Sequence, residues 1–170
     1  MKDWKRIGVF ALAVAAVTLI DHGAKMIAAA GLAGGARYSY LGDFLRLEAA
    51  FNTGAILGLG SQLPDALRVW MMPAVTIAVL VWVSVLLIRE AKVGPAYVGL
   101  SLVWGGGFSN LVDRLAYGEV FDFFTLGMGT IRTGISNLAD VAIMIGIPLI
   151  LIGWLRASHE QEQPEEVEKM

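Results

Sequence analysis

The segment VWMMPAVTIAVLVWVSVLLI, which spans Val69–Ile88, contains no charged side chain. A helix of about 20 apolar residues is long enough to cross a bilayer core about 30 Å thick. Three other segments are similarly apolar, namely Ile7–Ala30, Val93–Val112 and Leu138–Leu155. The charged residues and histidine inside these segments are Asp21, His22, Lys25 and Asp140. The pattern predicts an all-α membrane protein with four transmembrane helices, at about 7–30, 69–88, 93–112 and 138–155.

Hydrophobic residues make up 56% of the 170-residue chain, compared with about 45–50% in typical soluble domains. The excess lies in the four apolar segments, so residues 1–156 are expected to form a single membrane domain. The remaining residues, 157–170, are polar and acidic, and we expect them to form a disordered cytoplasmic tail.

The first apolar segment has an alternative interpretation as a cleavable signal peptide. Lys2, Lys5 and Arg6 would be its basic end, and small residues suited to cleavage follow its apolar core. Asp21 and Lys25 lie between that core and the small residues, however, and this favours a membrane-spanning helix.

Basic residues indicate the orientation of the helices, because Lys and Arg concentrate on the cytoplasmic side of a membrane. Those that flank the predicted helices on one side are Lys2, Lys5, Arg6, Arg89, Lys92 and Arg156. They predict that both termini are cytoplasmic and that segments 31–68 and 113–137 are extracytoplasmic. The arginines that oppose this bias are Arg37, Arg46, Arg68, Arg114 and Arg132.

The first extracytoplasmic segment contains RYSYLGDFLRLEAAFN, residues Arg37–Asn52. Apolar and aromatic residues recur at two-residue spacing on either side of Gly42 and Asp43, which predicts a small β-hairpin with its apolar side on the membrane surface. The second extracytoplasmic segment is rich in glycine at LGMGTIRTG and is expected to be irregular.

The chain contains no cysteine and only two histidines, His22 and His159, which are far apart in sequence. The lack of cysteine excludes disulfides, thiolate metal ligands and a cysteine nucleophile. A histidine-rich metal site is not expected either, so we expect no metal or other cofactor. The formal net charge of −2 gives no indication of a nucleic-acid partner.

Two aspartates occupy unusual positions. Asp122 lies in EVFDFF, where Val120 and three phenylalanines surround it, and Asp140 lies three residues after Asn137 at the start of an apolar segment. Each aspartate has a purely structural interpretation. Asp122 would accept hydrogen bonds from local backbone N–H groups, and Asp140 would take part in capping a helix that begins at Asn137.

The two aspartates considered together suggest chemistry. Both lie at the predicted outer edge of the membrane, and the segment between them could bring them together. Two neighbouring carboxylates do not readily ionise together and share a proton near neutral pH. One can then accept a proton from water while the other protonates a carbonyl oxygen. This arrangement predicts an aspartic protease with Asp122 and Asp140 as its catalytic residues.

Other polar residues gather near the same membrane edge. Asp21 and Lys25 are four residues apart and share one face of a helix, where an ion pair could position that helix or contact substrate. Asn110 and Asp113 share a face near the end of the third helix. The neighbouring Arg114 could pair with Asp113 or bind a carbonyl group.

As an ordered set, five motifs resemble lipoprotein signal peptidase (signal peptidase II), a bacterial membrane aspartic protease. They are DHGAK (Asp21–Lys25), FNTGA (Phe51–Ala55), GGGFSNLVDR (Gly105–Arg114), EVFDFF (Glu119–Phe124) and SNLADVAI (Ser136–Ile143). They follow the family's order and lie near its spacing, so the resemblance extends from Asp21 to about Gly146.

The resemblance implies removal of signal peptides from prolipoproteins, with cleavage just before a cysteine that carries a diacylglyceryl group. It implies catalysis by Asp122 and Asp140, with a supporting set of Asp21, Lys25, Asn52, Gly54, Asn110, Asp113, Arg114, Val120 and Asn137. It also implies a bacterial inner-membrane monomer with a small extracytoplasmic sheet and an active site at the outer face. The implied partners are the diacylated prolipoprotein, membrane lipid and a cyclic peptide inhibitor, without nucleic acid.

Several positions depart from the family's usual residues. Ile56 and Leu57 replace Ala and Phe, Ser109 replaces Gly, and Ser136 replaces Phe. His22 stands where Gln is common, and we expect it at the membrane interface rather than in the catalytic site. None of these departures removes a catalytic carboxylate, so they concern the shape of the pocket and its preference for substrate or inhibitor.

Two other classes of protein are consistent with intramembrane acids. A proton-coupled transporter would need polar residues along a path across the membrane, whereas the second helix offers only Thr76 and Ser84. A non-catalytic relative that binds lipoprotein precursors would share the motifs, and turnover of a lipidated precursor distinguishes it from an enzyme.

Overall fold

The computed structural model describes residues 2–54 and 65–167. Its long helices are α1 (Lys2–Gly31), α2 (Asp65–Arg89), α3 (Pro95–Tyr117) and α4 (Leu138–Val167). Its strands are β1 (Tyr38–Tyr40), β2 (Leu45–Asn52), β3 (Val120–Met128) and β4 (Ile131–Arg132), and a 3₁₀ turn lies at Ala33–Gly35. The predicted combination of apolar helices with a small sheet is therefore confirmed.

Consecutive helices run in opposite directions, which gives the bundle two distinct ends. At the end that contains the start of α1, Arg6 donates to the carbonyl of Leu87 (2.9 Å), and the hydroxyl of Tyr97 donates to the carbonyl of Arg6 (2.9 Å). At the same end Trp154 Nε1 donates to Glu90 Oε1 (2.8 Å). We call this the N-terminal end, and we call the opposite end, which carries the strands, the sheet end.

Helix α3 lies at the centre of the bundle, with α1, α2 and α4 packed around it. Near the N-terminal end its Leu100 is buried against Val83, Leu87 and Ile150. Many of its other buried residues are small or polar, including Gly105, Gly106, Ser109, Asn110 and Asp113. A helix surrounded by other helices can carry such residues because they face protein rather than lipid.

Within the described part of the chain, three helices are long and apolar enough to cross a membrane, at Asp3–Gly31, Val69–Arg89 and Leu138–His159. Helix α3 is not among them, because its second half carries glycines and the polar side chains of Asn110 and Asp113. Three of the four predicted spans therefore have the required length and composition, and a crossing by α3 stays a prediction.

Helices α3 and α4 approach each other through a glycine seam formed by Gly99, Gly106, Gly146 and Gly153. A Cβ atom added at Gly99 would lie 2.5 Å from the carbonyl oxygen of Gly146, and one added at Gly146 would lie 2.6 Å from that of Gly99. Gly106 faces the carbonyl of Ala139 and Gly153 faces Ala96 in the same way. The glycines recur every seven residues, so they occupy one face of each helix.

The sheet is antiparallel with the strand order β1-β2-β3-β4. The predicted hairpin is confirmed, since Tyr40 pairs with Leu45 across the turn. The segment 113–137, by contrast, is not irregular as predicted, because β3 occupies nine of its residues. The aromatic and β-branched side chains of VFDFFT favour a strand, and this preference outweighs the glycines that follow it.

The sheet packs on the bundle through an apolar cluster at the sheet end. Leu32, Phe123 and Phe124 form its buried centre. Ala28 of α1 and Leu138 of α4 pack against this centre from the side of the helix bundle. The strand that carries Asp122 is thereby fixed against the helices that carry Asp21 and Asp140.

Helix α4 continues to Val167, which is at variance with the disordered tail expected from residue 157. The tail is rich in glutamate and glutamine, which are good helix formers. A helix that is already formed also extends without a new nucleation cost.

The glycine seam yields a test of how α3 and α4 pack. We expect Gly146→Ala to lower the free energy of unfolding by about 1–3 kcal/mol, because the new methyl group overlaps a backbone carbonyl that has little room to move. Gly8→Ala is the matched control, since nothing lies within 4 Å of a Cβ at that helical position. Thermal unfolding in detergent measures both, and equal stability of the two variants would contradict the close approach.

Candidate active site

The predicted site residues come together at the sheet end from five different elements. Asp21 and Lys25 lie on α1, Asn52 on β2, Asn110 and Asp113 on α3, Asp122 on β3, and Asp140 on α4. Asn137 directly precedes α4.

Asp122 is held by two asparagines. Its side chain is 1% exposed, and its strand pairs with β2 so that it lies opposite Ala50. Asn52 Nδ2 donates to Asp122 Oδ2 (3.0 Å), and Asn137 Nδ2 donates to Asp122 Oδ1 (2.6 Å). The pKa of Asp122 is raised to about 6, mainly by burial and also by the nearby carboxylate of Asp140, which together outweigh the lowering effect of both asparagines.

Asp140 lies in the first turn of α4 and is half-buried. Its backbone N–H donates to Asn137 Oδ1 (3.0 Å), while the backbone N–H of Asn137 donates to Asp140 Oδ2 (3.3 Å). This reciprocal arrangement is a capping box, so the predicted helix cap is confirmed. Asp140 Oδ1 accepts a further hydrogen bond from Asn110 Nδ2 (2.9 Å).

Asn137 connects the two acids through a single side chain. Its amide nitrogen donates to both Asp122 and Asn110 Oδ1 (3.1 Å), and its amide oxygen accepts from the backbone of Asp140. The residue is fully buried, at 0% exposure. The positions of Asp122 and Asp140 are therefore coupled, although one lies on a strand and the other on a helix.

Lys25 forms the centre of a second, buried polar cluster. Its ammonium group lies 2.6 Å from Asp21 Oδ2 and 2.6 Å from Asp113 Oδ2. It also donates to Asn110 Oδ1 at 3.3 Å, which connects this cluster to the acids. The predicted pair of Asp21 and Lys25 is confirmed, and Asp113 is a third member that the sequence did not pair with lysine.

Asp21 reaches across to the start of α4. Its Oδ1 accepts from the backbone N–H of Ala139 (3.0 Å), the residue before Asp140. Ser109, which is fully buried, donates to Asp21 Oδ2 (2.7 Å). Ser109 was predicted only as a departure from the family pattern, and nothing in the sequence indicated that it would contact Asp21, 88 residues away.

His22 also lies beside this cluster rather than apart from it. Its Nδ1 is 3.8 Å from Asp21 Oδ2 and 3.9 Å from Asp113 Oδ1, and its side chain is 33% exposed. Each of these three residues offers one atom that could bind a metal ion, and these atoms lie within 4.8 Å of one another. The ammonium of Lys25, however, already bonds both carboxylates as a fixed cation.

The remaining predicted residues shape the edge of the site. Gly54 adopts φ +94° and donates its N–H to Asn52 Oδ1 (2.9 Å), and a Cβ there would overlap Met72. Val120 is 1% exposed and pairs with Asn52 in the sheet. Ile56 and Leu57 lie outside the described residues.

Arg114 takes the second of its two predicted roles. Its Nη1 donates to the carbonyl oxygen of Asn110 (3.2 Å), whereas Asp113 pairs with Lys25. The guanidinium is half-buried and interacts electrostatically with Asp140, Asp122 and Asp113. It therefore adds positive charge next to the catalytic acids.

Chemically, the site combines two coupled carboxyl groups with a set of fixed amide donors. Asp122 lies in an apolar sheet that favours its protonated form, whereas Asp140 lies at a helix N-terminus, where negative charge is stabilised. A pair of acids in such different environments can divide the roles of proton donor and proton acceptor.

The chain matches the family described as signal peptidase (SPase) II over residues 13–156. The lipoprotein signal peptidase of Burkholderia cenocepacia strain J2315 is 34% identical over 140 residues, which cover 82% of this chain and 83% of that protein. That of Dichelobacter nodosus is 31% identical over 153 residues, which cover 90% of this chain and 97% of that protein.

Solved structures agree with the sequence comparison. A bacterial membrane enzyme solved at 2.3 Å by the in meso method superposes with a TM-score of 0.78 and 28% identity, over 92% of this chain and 93% of that one. A second bacterial membrane enzyme, solved at 1.9 Å, has a TM-score of 0.74 and 29% identity, over 88% and 94% of the two chains. Family match, relatives and architecture agree, and the chain belongs to the signal peptidase II family.

Proposed function

We propose that this protein removes signal peptides from prolipoproteins by aspartic catalysis, with Asp122 and Asp140 as its catalytic pair. The observation that carries the proposal is that both acids bond to the same buried residue, Asn137, at the sheet end of an apolar helix bundle. Membership of the signal peptidase II family supports the peptidase activity.

In the proposed mechanism the pair carries one proton, and Asp122 holds it in the resting enzyme. Asp140 accepts a proton from the attacking water, and Asp122 donates its proton to the carbonyl oxygen of the scissile peptide bond. The tetrahedral intermediate then collapses as Asp140 gives its proton to the leaving nitrogen, Asp122 takes back a proton from a hydroxyl of the intermediate, and the C–N bond breaks. This is general acid–base catalysis that needs no metal and no covalent intermediate.

The supporting residues have two proposed tasks. Asn52, Asn110 and Asn137 orient the two carboxyl groups through the hydrogen bonds described above. Lys25 and Asp21 position the start of α4, and with it Asp140. Arg114 is available to bind a substrate carbonyl, while Gly54 and Val120 shape the segment that carries Asn52.

The substrate proposed for this site is a prolipoprotein that already carries a diacylglyceryl group, cut just before the lipidated cysteine. A site at one end of an apolar bundle suits such a substrate, because its acyl chains can stay among the membrane lipids while its peptide bond reaches the acids. Cyclic peptides that mimic such a segment are the proposed inhibitors. The enzyme is proposed to act as a monomer, with no nucleic-acid partner.

The proposed orientation has both termini in the cytoplasm of a bacterium and the active site at the outer face of the inner membrane. The N-terminal end of the bundle carries Lys5, Arg6, Arg89 and Lys92, which supports placing that end on the cytoplasmic side. In this orientation α3 is the fourth crossing.

Substitution of the acids tests the proposed chemistry. We expect Asp122→Asn and Asp140→Asn each to lower turnover of a diacylated precursor by about 10³-fold or more, because each removes a proton donor or acceptor. Asp43→Asn is the matched control, since this carboxylate lies in the sheet but bonds only Ser39, Arg46 and Arg132. Purified enzyme in lipid, with the same precursor in lipidated and unlipidated form, provides the assay.

Normal turnover by either acid variant would remove that residue from the chemistry. A wild-type protein that binds the lipidated precursor without cutting it would instead be a non-catalytic relative. Equal turnover of the unlipidated precursor would contradict the proposed substrate class.

The pH dependence of kcat/KM tests the role of Asp122. Loss of its proton should reduce activity above the pKa of about 6 in the free enzyme. Asn52 donates to the ionised carboxylate and lowers this pKa, so Asn52→Ala should move the alkaline limb to higher pH. Ser39→Ala on the neighbouring strand should leave the limb in place, and an Asn52→Ala limb that moves to lower pH would contradict the assignment.

Asp21 is expected to affect stability more than catalysis. Asp21→Asn leaves Lys25 with one carboxylate instead of two and should lower the free energy of unfolding by about 3 kcal/mol, the lower part of the range for breaking a buried ion pair. Asp3→Asn on the same helix is the control, because its exposed carboxylate contributes little. Unchanged thermal unfolding of Asp21→Asn would contradict a structural role.

A further inference from the structure

A cleft lies at the N-terminal end of the bundle, at the opposite end from the catalytic acids. Its volume is about 360 Å³, and it lies between α1 and α2. The residues that form its walls include Arg6, Ile7, Phe10, Leu87, Ile88 and Tyr97. Most of this wall is apolar, with one guanidinium group at the end of the helices.

The cleft exists because α1 and α2 each pack closely against α3 and contact each other much less, with Arg6 bonded to the end of α2. Phe10 rests edge-on against Trp104 of α3, with ring centroids 5.2 Å apart, and this contact fixes one wall. Ile7 and Ile88 are 56% and 77% exposed, so the cleft opens sideways towards the surroundings of the bundle. For a membrane-embedded bundle, those surroundings are lipid.

Arg6 has hydrogen-bond donors that the protein does not use. Its Nη2 donates to the carbonyls of Leu87 (2.9 Å) and Ile88 (3.4 Å), at the end of α2. Its Nε is buried and has no hydrogen-bond partner in the described part of the chain. Its Nη1 lies 3.8 Å from Asp3, whose side chain is 84% exposed. The distance from Nη1 to Asp3 is longer than a hydrogen bond, so an anion in the cleft would give this charged donor a close partner.

The surroundings of Arg6 favour an anion that belongs to a membrane. Lys5, Arg89 and Lys92 lie at the same end, and clustered basic residues attract anionic lipid headgroups. Trp4 is 79% exposed there, as expected for a side chain at the boundary between headgroups and acyl chains. Charge, depth and apolar walls therefore point to the same kind of ligand.

We propose that this cleft binds one anionic phospholipid, with its phosphate on Arg6 and an acyl chain between α1 and α2. The guanidinium group offers Nη1, which makes no hydrogen bond to a protein carbonyl, as a charged donor to a phosphate oxygen. The acyl chain fills the space that direct packing of α1 and α2 leaves empty. This lipid site is separate from the catalytic pair and does not depend on the proposed peptidase mechanism.

The experiment is native mass spectrometry of the full-length protein, titrated with phosphatidylglycerol or with phosphatidylcholine of the same acyl chains. The wild type should retain one phosphatidylglycerol with affinity about tenfold higher than for phosphatidylcholine, because the choline group of phosphatidylcholine offsets the charge of its phosphate near Arg6. Arg6→Gln should abolish this preference. Lys5→Gln is the matched control, because it removes the same charge one residue away, outside the cleft.

Arg6 also contacts the end of α2, so loss of lipid binding in Arg6→Gln could reflect misfolding. A third variant, which is expected to gain affinity, separates the two causes. Asp3→Asn removes the carboxylate that competes with phosphate for Arg6 and should tighten phosphatidylglycerol binding by about two- to fivefold. A gain of affinity cannot arise from loss of structure. Equal losses in Arg6→Gln and Lys5→Gln would show general surface attraction and overturn the proposal, as would unchanged binding by Asp3→Asn. Displacement of the lipid by inorganic phosphate alone would overturn the acyl-chain component.

Discussion

One buried ammonium group holds the sheet end of this protein together. Lys25 is bonded to Asp21 on its own helix and to Asp113 on α3, and the second oxygen of Asp21 accepts a backbone N–H at the start of α4. Three helices are therefore joined through one charge. Burial of such groups is costly unless every charge is paired and hydrogen-bonded. The cluster meets that condition, and the position of Asp140, one of the two proposed catalytic acids, depends on it through Asn110.

The two acids differ in what surrounds them. Asp122 lies on a strand between phenylalanines, where burial raises its pKa to about 6 although its two amide donors lower it. Asp140 lies at the positive end of a helix dipole. Asn137 bonds to both and keeps them in one geometry. An asymmetric pair of this kind has a defined donor and a defined acceptor before substrate arrives, which avoids reorganisation during the reaction.

Local patterns in the sequence predicted the parts of the site that depend on short-range geometry. The four-residue spacing of Asp21 and Lys25 and the three-residue spacing of Asn137 and Asp140 both correspond to contacts in the structure. The contact of Lys25 with Asp113 joins residues 88 apart, and no periodicity contains that information. β3 was missed because glycines near its end resemble a loop. The composition of α3 was similarly ambiguous, since a helix enclosed by others does not need an apolar surface.

The glycine seam between α3 and α4 has a consequence for the depth of the active site. Because backbone touches backbone at Gly99 and Gly146, the two helices cannot slide along each other without driving a larger side chain into a carbonyl group. Asn110 on one helix and Asp140 on the other are therefore kept at the same height. For the proposed peptidase, the seam would therefore fix the depth within the bundle at which a scissile peptide bond meets the two acids.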